Sequence, residues 1–313
     1  MSETDSPEHS TPSPAPKVFH SGFAALVGRP NVGKSTLLNA LVEHPVSIVS
    51  PRPQTTRHRI LGIRTREDYQ LVFMDTPGMH RHSGGRAMNR YLNRTAVSTA
   101  AEADLELFIV EALQWRAEDA QALEKLRATQ LPVIAVVNKI DQARPRDRLL
   151  PFLEELSKRA EFAAVVPVSA TKKENLEALE RAVVDRLPQG PMLFPADQVT
   201  DRNAQFRAAE IVRQKLTMRL REELPYGLTV QIEEYVEAGR GLRIQALIWV
   251  EREGQKAIVV GKGGLNLREA GRASRLQLKR EVGVPVDLRL WVKVKANWAD
   301  NEQALRSLGY ENP

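Results

Sequence analysis

Four short segments of this 313-residue chain carry side chains that could do chemistry together, and each follows an apolar run. The first, Gly28-Arg29-Pro30-Asn31-Val32-Gly33-Lys34-Ser35, fits the pattern G-x-x-x-x-G-K-[ST]. It lies directly after the apolar stretch 23–27 and directly before a helical pattern over about 33–42. In that setting the glycines let backbone N–H groups wrap phosphates at a helix N-terminus. Lys34 offers a point charge to the outer phosphates, and the Ser35 hydroxyl offers magnesium a ligand, with Thr36 beside it counted in the same site. The plain alternative is a glycine-rich strand-to-helix turn with no ligand, and the flanking elements argue against it. Asp75-Thr76-Pro77-Gly78 closes the apolar run 71–74. There a carboxylate can reach magnesium, directly or through water, and the Gly78 amide can sense a γ-phosphate. Asn138-Lys139-Ile140-Asp141 closes the run 133–137. The Asp141 carboxylate can accept from both N1–H and the exocyclic amine of guanine, whereas adenine offers no such pair of donors. Asn138 and Lys139 are expected to brace that loop and cover the ring. Ser169-Ala170-Thr171-Lys172, after 165–168, is expected to complete the base pocket through backbone contacts at Ser169 and Ala170, although alone it would pass for a helix cap.

These segments need elements to hold them. Short apolar runs at 23–27, 71–74, 105–110, 133–137 and 165–168 alternate with helical patterns. That alternation predicts one doubly wound, mostly parallel α/β sheet covered on both faces, with ligands at the carboxyl ends of its strands. Three prolines and a glycine between 187 and 195 interrupt the pattern and predict an interdomain connection. The second part reads as helix 204–224, strand 228–237, strand 242–250, a glycine-rich turn at 261–264 following an apolar strand, helix 265–282 and strand 286–294. The expected division is a tail over 1–17, a nucleotide-binding domain over 18–187, a linker over 188–202 and an α+β domain over 203–313.

Composition narrows the class. A hydrophobic fraction of 42% with 27% charged residues is that of a soluble globular protein, and no apolar run approaches the ~20 residues that span a bilayer. With no cysteine the chain forms neither disulfides nor thiolate metal sites. The net charge of +6 sits mostly in the second part, where residues 201–313 hold 20 Lys and Arg against 15 Asp and Glu, compared with 25 against 24 in residues 1–200. A basic balance confined to one domain favours a polyanionic partner, although plain solvated surfaces share it. The first 17 residues are rich in Ser, Thr, Pro and Glu, lack the apolar core of a signal peptide, and predict a disordered tail and a cytoplasmic address.

The four segments, in this order and each after its own strand, resemble the Era family of bacterial GTPases. The likeness covers nearly all of 18–313, including Gln54-Thr55-Thr56-Arg57 and Trp291-Val292-Lys293-Val294-Lys295. It implies a GTP-hydrolysing switch in which the basic segment 50–59 is the first switch and Thr56, with Thr55 as the alternative, closes over magnesium when the γ-phosphate is present. Met79 stands where Ras-like proteins carry a water-orienting glutamine, which agrees with the family and implies slow hydrolysis without a partner. In such proteins an asparagine at the place of Asn31 can hold potassium; the alternative is that Asn31 only braces its turn. Ser35, Thr56 and Asp75 are thus the expected magnesium ligands, and Lys34, Asn31, Thr56 and Gly78 the residues expected at the reaction.

Ile258-Val259-Val260-Gly261-Lys262-Gly263-Gly264-Leu265 contains a G-x-x-G turn before a helix carrying Arg268, Arg272, Arg275, Lys279 and Arg280. It resembles a KH domain of type II, whose turn lets backbone N–H groups approach about four single-stranded nucleotides. The apolar residues Ile258, Val259, Val260 and Leu265 are expected to line the groove for bases, with Lys262 and Arg268 meeting phosphates. Where the family often ends that loop in Asn-Lys-Gly, this chain has Lys262-Gly263-Gly264. The family target is a single-stranded end of small-subunit ribosomal RNA, bound and released during maturation of that subunit. A monomer is expected, and contact of the basic face with the inner surface of the membrane stays open. Trp291 and Trp298 are expected in the core or in domain packing, and His58, His80 and His82 as solvated loop residues. Two rivals remain: a P-loop kinase or ATPase, against which Asn138–Asp141 argues, and an RNA-binding module whose nucleotide fold does not catalyse.

Overall fold

The computed structural model describes residues 18–50, 52, 55–77, 87–220, 227–308 and 310. The expectations for the tail 1–17, for Pro51, Pro53, Gln54, Gly78, Met79, His80 and His82, and for residues 221–224 of the long helix lie outside the described residues.

The first sheet contains β1 (His20–Val27), β2 (Ile60–Thr65), β3 (Tyr69–Asp75), β4 (Leu105–Glu111), β5 (Val133–Asn138) and β6 (Ala164–Pro167) in the order β2-β3-β1-β4-β5-β6. All neighbours run parallel except β2, which pairs antiparallel with β3. The reason is legible in β4 and β5, whose residues are apolar on both faces. Leu105, Leu107, Ile109, Ile134 and Val136 join one buried cluster, and Phe108, Val110, Ala135 and Val137 join another on the opposite side. A strand with no polar face must be covered twice, and the crossover helices do this. These are α1 (Lys34–Val42), α2 (Ala87–Ala101), α3 (Ala117–Arg127), α4 (Leu149–Ser157) and α5 (Leu176–Val184). The chain departs from β1 in opposite directions, so the phosphate-loop candidate sits at the point where the strand order reverses, with β3 on one side and β4 on the other.

The second sheet is β7 (Leu228–Ala238), β8 (Gly241–Val250) and β9 (Val286–Val294), with β7 and β8 antiparallel and β8 and β9 parallel. Helices α6 (Ala204–Arg219), α7 (Glu253–Val260) and α8 (Leu265–Val282) complete this unit. Asn203 caps α6 by accepting from the Phe206 amide at 2.8 Å. Residues 253–260, expected to include an apolar strand, form α7 instead. The Gln255 side chain reaches back to the Arg252 amide at 3.1 Å, a cap that three apolar residues in a row conceal. The order is therefore α-β-β-α-α-β, with the G-x-x-G turn between two helices.

The connecting segment packs against the first sheet. Gln70, fully buried, accepts from the Leu193 and Phe194 amides at 2.8 and 2.9 Å and donates to the Phe194 carbonyl at 2.9 Å. Thr200 bridges to Gly62 on β2. At the far end, α9 (Glu302–Ser307) and its neighbours return to the first unit, where Trp298, Leu305 and Tyr310 share a buried cluster with Ala87, Met88, Tyr91 and Leu92 of α2. Trp298 is fully buried, as expected, whereas Trp291 on the edge strand β9 is 41% exposed, against expectation. Along β9 buried and exposed positions alternate, and Trp291 falls on the outer face because it lies in phase with Asp287, Arg289 and Lys293.

Candidate nucleotide site and RNA-contacting turn

The loop from Gly28 to Gly33 joins β1 to α1 with almost no spare room. A Cβ at Gly28 would lie 2.4 Å from the Ile109 carbonyl oxygen, and one at Gly33, where φ is +101°, would lie 2.4 Å from the Asn138 side chain. Any other residue at either place would push the phosphate loop off β4 or β5. Asn138 ties the loops together. Its amide donates to the Val32 carbonyl at 2.8 Å, and its oxygen accepts from the Ala170 amide at 3.1 Å. One side chain thereby locks the phosphate loop, the end of β5 and the loop after β6. Asp141 is reached by the Ser169 hydroxyl at 2.6 Å, and the Lys139 ammonium, in a residue with φ +65°, rests 3.1 Å from Glu111.

Lys34 is buried, and its ammonium donates to the Gly28 and Arg29 carbonyls at 2.8 and 3.0 Å. Burial pushes its pKa down to about 8, against the opposing pull of Asp75. Arg29 turns away from the cleft. Its guanidinium pairs with Glu111 at 2.9 Å and Asp119 at 3.2 Å, so its backbone faces the site and its charge does not. Val32 is likewise fully buried beneath the loop.

Asp75, the last residue of β3, is fully buried. Its Oδ2 accepts from the hydroxyls of Ser35 (2.7 Å), Ser47 (2.9 Å) and Thr56 (3.2 Å), and the Ser35 and Thr56 oxygens lie 3.0 Å apart. Its Oδ1 has no partner among the described residues. Burial raises the Asp75 pKa despite those three bonds. An orphaned carboxylate oxygen beside two hydroxyls suits a hard cation, because a buried acceptor without a partner is costly and an ion would satisfy it. Ser35, Thr56 and Asp75, expected as magnesium ligands, are thus brought to one corner. Thr55 is not. Its hydroxyl is taken up by the Arg52 carbonyl and Ser50, both at 2.7 Å.

The open space before this corner is a cleft of about 470 Å³ lined by Pro30, Asn31, Gly33, Lys34, Ser35, Thr36 and Thr76 on one side and by Ile48, Val49, Ser50, Arg52, Thr55 and Thr56 on the other. Ser47 is a contributor that no motif announces, since a single serine in Pro45-Val46-Ser47-Ile48 has no diagnostic spacing. The histidine expectation fails at His58. It is buried, stacked on Tyr310 at 4.5 Å and edge-on to Phe206 at 5.1 Å, and burial pushes its pKa down to about 3. The cause is tertiary: two aromatic rings from the second unit close over a loop that its flanking arginines make look solvated. Among the described residues no group of three or more His, Cys, Asp or Glu is placed to hold a metal ion.

In the second unit Gly261, Gly263 and Gly264 have φ of +74°, +58° and +76°. A Cβ at Gly261 would lie 2.8 Å from Asn266, whose side chain donates to the Ile258 carbonyl at 2.9 Å. Ile258 and Leu265, 55% and 53% exposed, flank the turn on either side, while Val260 is half-buried and Lys262 exposed. Val259 corrects the expectation of a groove residue: it is fully buried in the core between α6, α7 and the sheet, because it falls on the inward face of α7, about 100° around the helix from the exposed Ile258. Arg268, Arg272, Arg275 and Lys279 lie on α8 at spacings of four, three and four, which puts them on one face, and Arg268 donates to the Gly263 carbonyl at 3.2 Å.

Comparison with known proteins matches two separate stretches of the chain to two families. A family described as 50S ribosome-binding GTPase matches residues 23–139, and a family described as KH domain matches residues 223–299. GTPase Era of Stenotrophomonas maltophilia strain K279a is 53% identical over 292 residues, covering 93% of this chain and 98% of its own, and GTPase Era of Marinobacter nauticus is 51% identical over 288 residues, covering 92% of this chain and 94% of its own. Among solved structures, Era in complex with MgGDPNP and nucleotides 1506–1542 of 16S ribosomal RNA superposes with a TM-score of 0.89 at 39% identity, over 93% of this chain and 99% of that one. An Aquifex aeolicus Era variant bound to GDP and AlF4− gives the same figures.

Proposed function

The chain belongs to the Era family of GTPases, and from that membership we propose that it is a GTP-driven switch that binds a single-stranded part of small-subunit ribosomal RNA through its KH unit and acts in maturation of that subunit. It binds GTP and hydrolyses it, transferring the γ-phosphoryl group to water. The observation that carries the reading is the Asp75 corner: one unpaired carboxylate oxygen, two hydroxyls from separate loops, and a lysine buried beside them.

Ser35, Thr56 and Asp75 would hold magnesium, which when bound neutralises charge on the β- and γ-phosphate oxygens. The Ser35 and Thr56 hydroxyls, which donate to Asp75 Oδ2, would be offered to that ion. Lys34 exchanges the Gly28 and Arg29 carbonyls for phosphate oxygens, whose negative charge favours its ammonium form. Asp141 selects guanine, with Asn138 holding the base loop against the phosphate loop and Lys139, Ser169 and Ala170 around it. Gly28, Pro30, Gly33, Thr36, Thr76 and Pro77 shape the rest of the pocket. With Met79 in place of a water-orienting glutamine the intrinsic rate is slow. Asn31, left-handed at φ +64° on the lip of the cleft, is the residue that would hold potassium. Turnover is expected to be several-fold faster in potassium chloride than in sodium chloride, and Asn31→Ala to remove the difference while GDP binding persists; equal rates in both salts for the unaltered protein would count against a potassium role.

The proposed units are 18–187 for the GTPase, 188–202 for the connection and 203–313 for the KH unit and its extension, preceded by 1–17. RNA is held at Gly261–Gly264 with bases against Ile258, Val260 and Leu265 and phosphates at Lys262, Arg268, Arg272 and Arg275. The arginines of α8 are also where the anionic inner face of the membrane would be met. The chain is read as a cytoplasmic monomer, and no helix of the described residues is long and apolar enough to cross a membrane. Substituting both Gly261 and Gly264 by Asp puts negative charge and strained backbone at the turn. RNA crosslinked to this variant in cells should fall at least about 10-fold relative to the unaltered protein, since phosphate contacts carry much of the affinity; equal recovery would remove the KH assignment, and GTP turnover measured alongside should stay intact.

A further inference from the structure

We infer that Arg213, a residue of the RNA-binding unit, is a positioning residue for GTP hydrolysis, holding the Thr55 carbonyl and through it the Thr56 hydroxyl at the Asp75 corner of the nucleotide cleft. The inference rests on the reading of Thr56 as the magnesium-side threonine. Arg213 lies on α6 and is almost fully buried. Its guanidinium is aimed by Glu210 on the same helix, which accepts from Nε and from one terminal nitrogen, both at 2.6 Å. That same terminal nitrogen donates to the Thr55 carbonyl at 2.5 Å. The residues after Thr56 are fixed from the same side. Arg57 donates to the Leu228 carbonyl at 2.7 Å, and His58 is stacked on Tyr310. Earlier in the segment, Gln214 of α6 donates to the Val49 carbonyl at 2.7 Å. Thr56 therefore stands between a Thr55 peptide tied to α6 and an Arg57 side chain tied to β7, while its own hydroxyl points at Asp75 and Ser35.

A stabilising role does not account for this arrangement. A buried ion pair contributes little net stability compared with apolar side chains of the same size, so packing alone gives no reason for a guanidinium and a carboxylate at 213 and 210. What apolar residues could not do is donate to the Thr55 carbonyl, and a lysine ammonium, without the planar fork that grips Glu210 through two nitrogens, would not hold its donor in the same fixed direction. The Thr55 peptide is the lever for Thr56, because a misplacement of about 1 Å in a reacting group can cost on the order of 100-fold. Nucleotide diphosphate makes no demand on Thr56, whose engagement depends on the γ-phosphate.

The test uses the full chain as wild type, as Arg213→Lys and as the double substitution Glu210→Leu with Arg213→Leu, which replaces the pair by apolar groups while the buried Arg57 keeps its bonds to the Leu228 carbonyl and Tyr310. Thermal unfolding, GDP affinity, kcat and the magnesium concentration for half-maximal turnover are measured for each. Both variants are expected to unfold cooperatively and to bind GDP within about 2-fold of wild type, while kcat falls about 10-fold and the magnesium requirement rises several-fold, a split that loss of general structure would not give. A folded variant with wild-type kcat and magnesium requirement overturns the inference. So does equal loss of GDP binding and turnover in the double variant, or failure of both variants to fold, since Arg213 would then be structural. Absence of GTP turnover in the wild type would instead overturn the proposed function on which the inference stands.

Discussion

Replacing Lys34 by alanine is expected to slow GTP turnover by about 10³-fold or more, with the fold retained. Among the described residues the ammonium has only the Gly28 and Arg29 carbonyls, both in the phosphate loop, for hydrogen-bond partners. Water can take those acceptors once the side chain is gone, so stability should change little. What cannot be replaced is charge. Burial holds the Lys34 pKa down to about 8, a sign that the site strips the ammonium of water while offering it little in return. Such a group gains most when a triphosphate arrives, and it gains further as negative charge accumulates on the transferred group. Single-turnover phosphate release in saturating magnesium measures the effect directly. A loss below about 10-fold would mean that the phosphates lie elsewhere.

Exchanging Asp141 for asparagine is expected to weaken GTP binding by about 100-fold or more and to turn the preference toward xanthine nucleotides. A carboxylate presents two acceptors to the two donors on the Watson–Crick edge of guanine. An amide presents one acceptor and one donor, so one guanine N–H would face another N–H. Sites built to hydrogen-bond a ligand reject the mismatched partner by about 10⁴ or more in favourable cases. Xanthine, with a carbonyl where guanine has its amine, accepts from that new donor and should recover most of the loss. The Ser169 hydroxyl, 2.6 Å from the Asp141 carboxylate, orients the side chain and can serve the asparagine oxygen equally well, so the loop should survive the exchange. Competition calorimetry with GDP and XDP provides the check, and unchanged GDP affinity would remove Asp141 from the base pocket.

Much of this site is legible in the amino-acid sequence, and the reason is local. Each nucleotide loop lies at the carboxyl end of a strand whose apolar run marks it, so a motif and its supporting element sit within a few residues of each other. Lys34, Asp75 and Asn138 follow from such pairs. Thr56 is separable from Thr55 in the sequence only by resemblance, and the structure separates them by where the hydroxyls point. The failures share a cause too. Ile258, Val259 and Val260 form an apolar triplet that suits a strand or the end of a buried helix equally, and length alone does not decide between them. Val259 falls inside because successive side chains of a helix are turned by about 100°, and α7 presents Val259 to the core while Ile258 beside it stays exposed. His58 lies between Arg57 and Arg59, so every local sign points to solvent. Its partners Phe206 and Tyr310 come from the far part of the chain, and nothing near His58 announces them. Ser47 and Arg213 escape for the same reason, since each acts on a loop to which no sequence spacing connects it.

The consequence for function is that the two units are not simply strung together. Thr56 directs its hydroxyl to the Asp75 corner, while the residues after it reach into the second unit, where the Leu228 carbonyl accepts from Arg57 and Tyr310 covers His58. Movement of Thr56 on loss of the γ-phosphate would have to be accommodated by contacts that also position α6 and β7. Tyr310 belongs to the same cluster as Met88 and Tyr91 of α2, so the C-terminal extension joins that helix to the first switch as well.

Above all, the switch depends on a pocket that takes guanine and its phosphates between the loops of Lys34, Asp75 and Asp141. Calorimetric titration of the full chain with GDP and with ADP, in magnesium, examines this most directly. The expected result is saturable binding of GDP with ADP weaker by at least about 100-fold. Equal affinity for the two, or binding of neither, would contradict it.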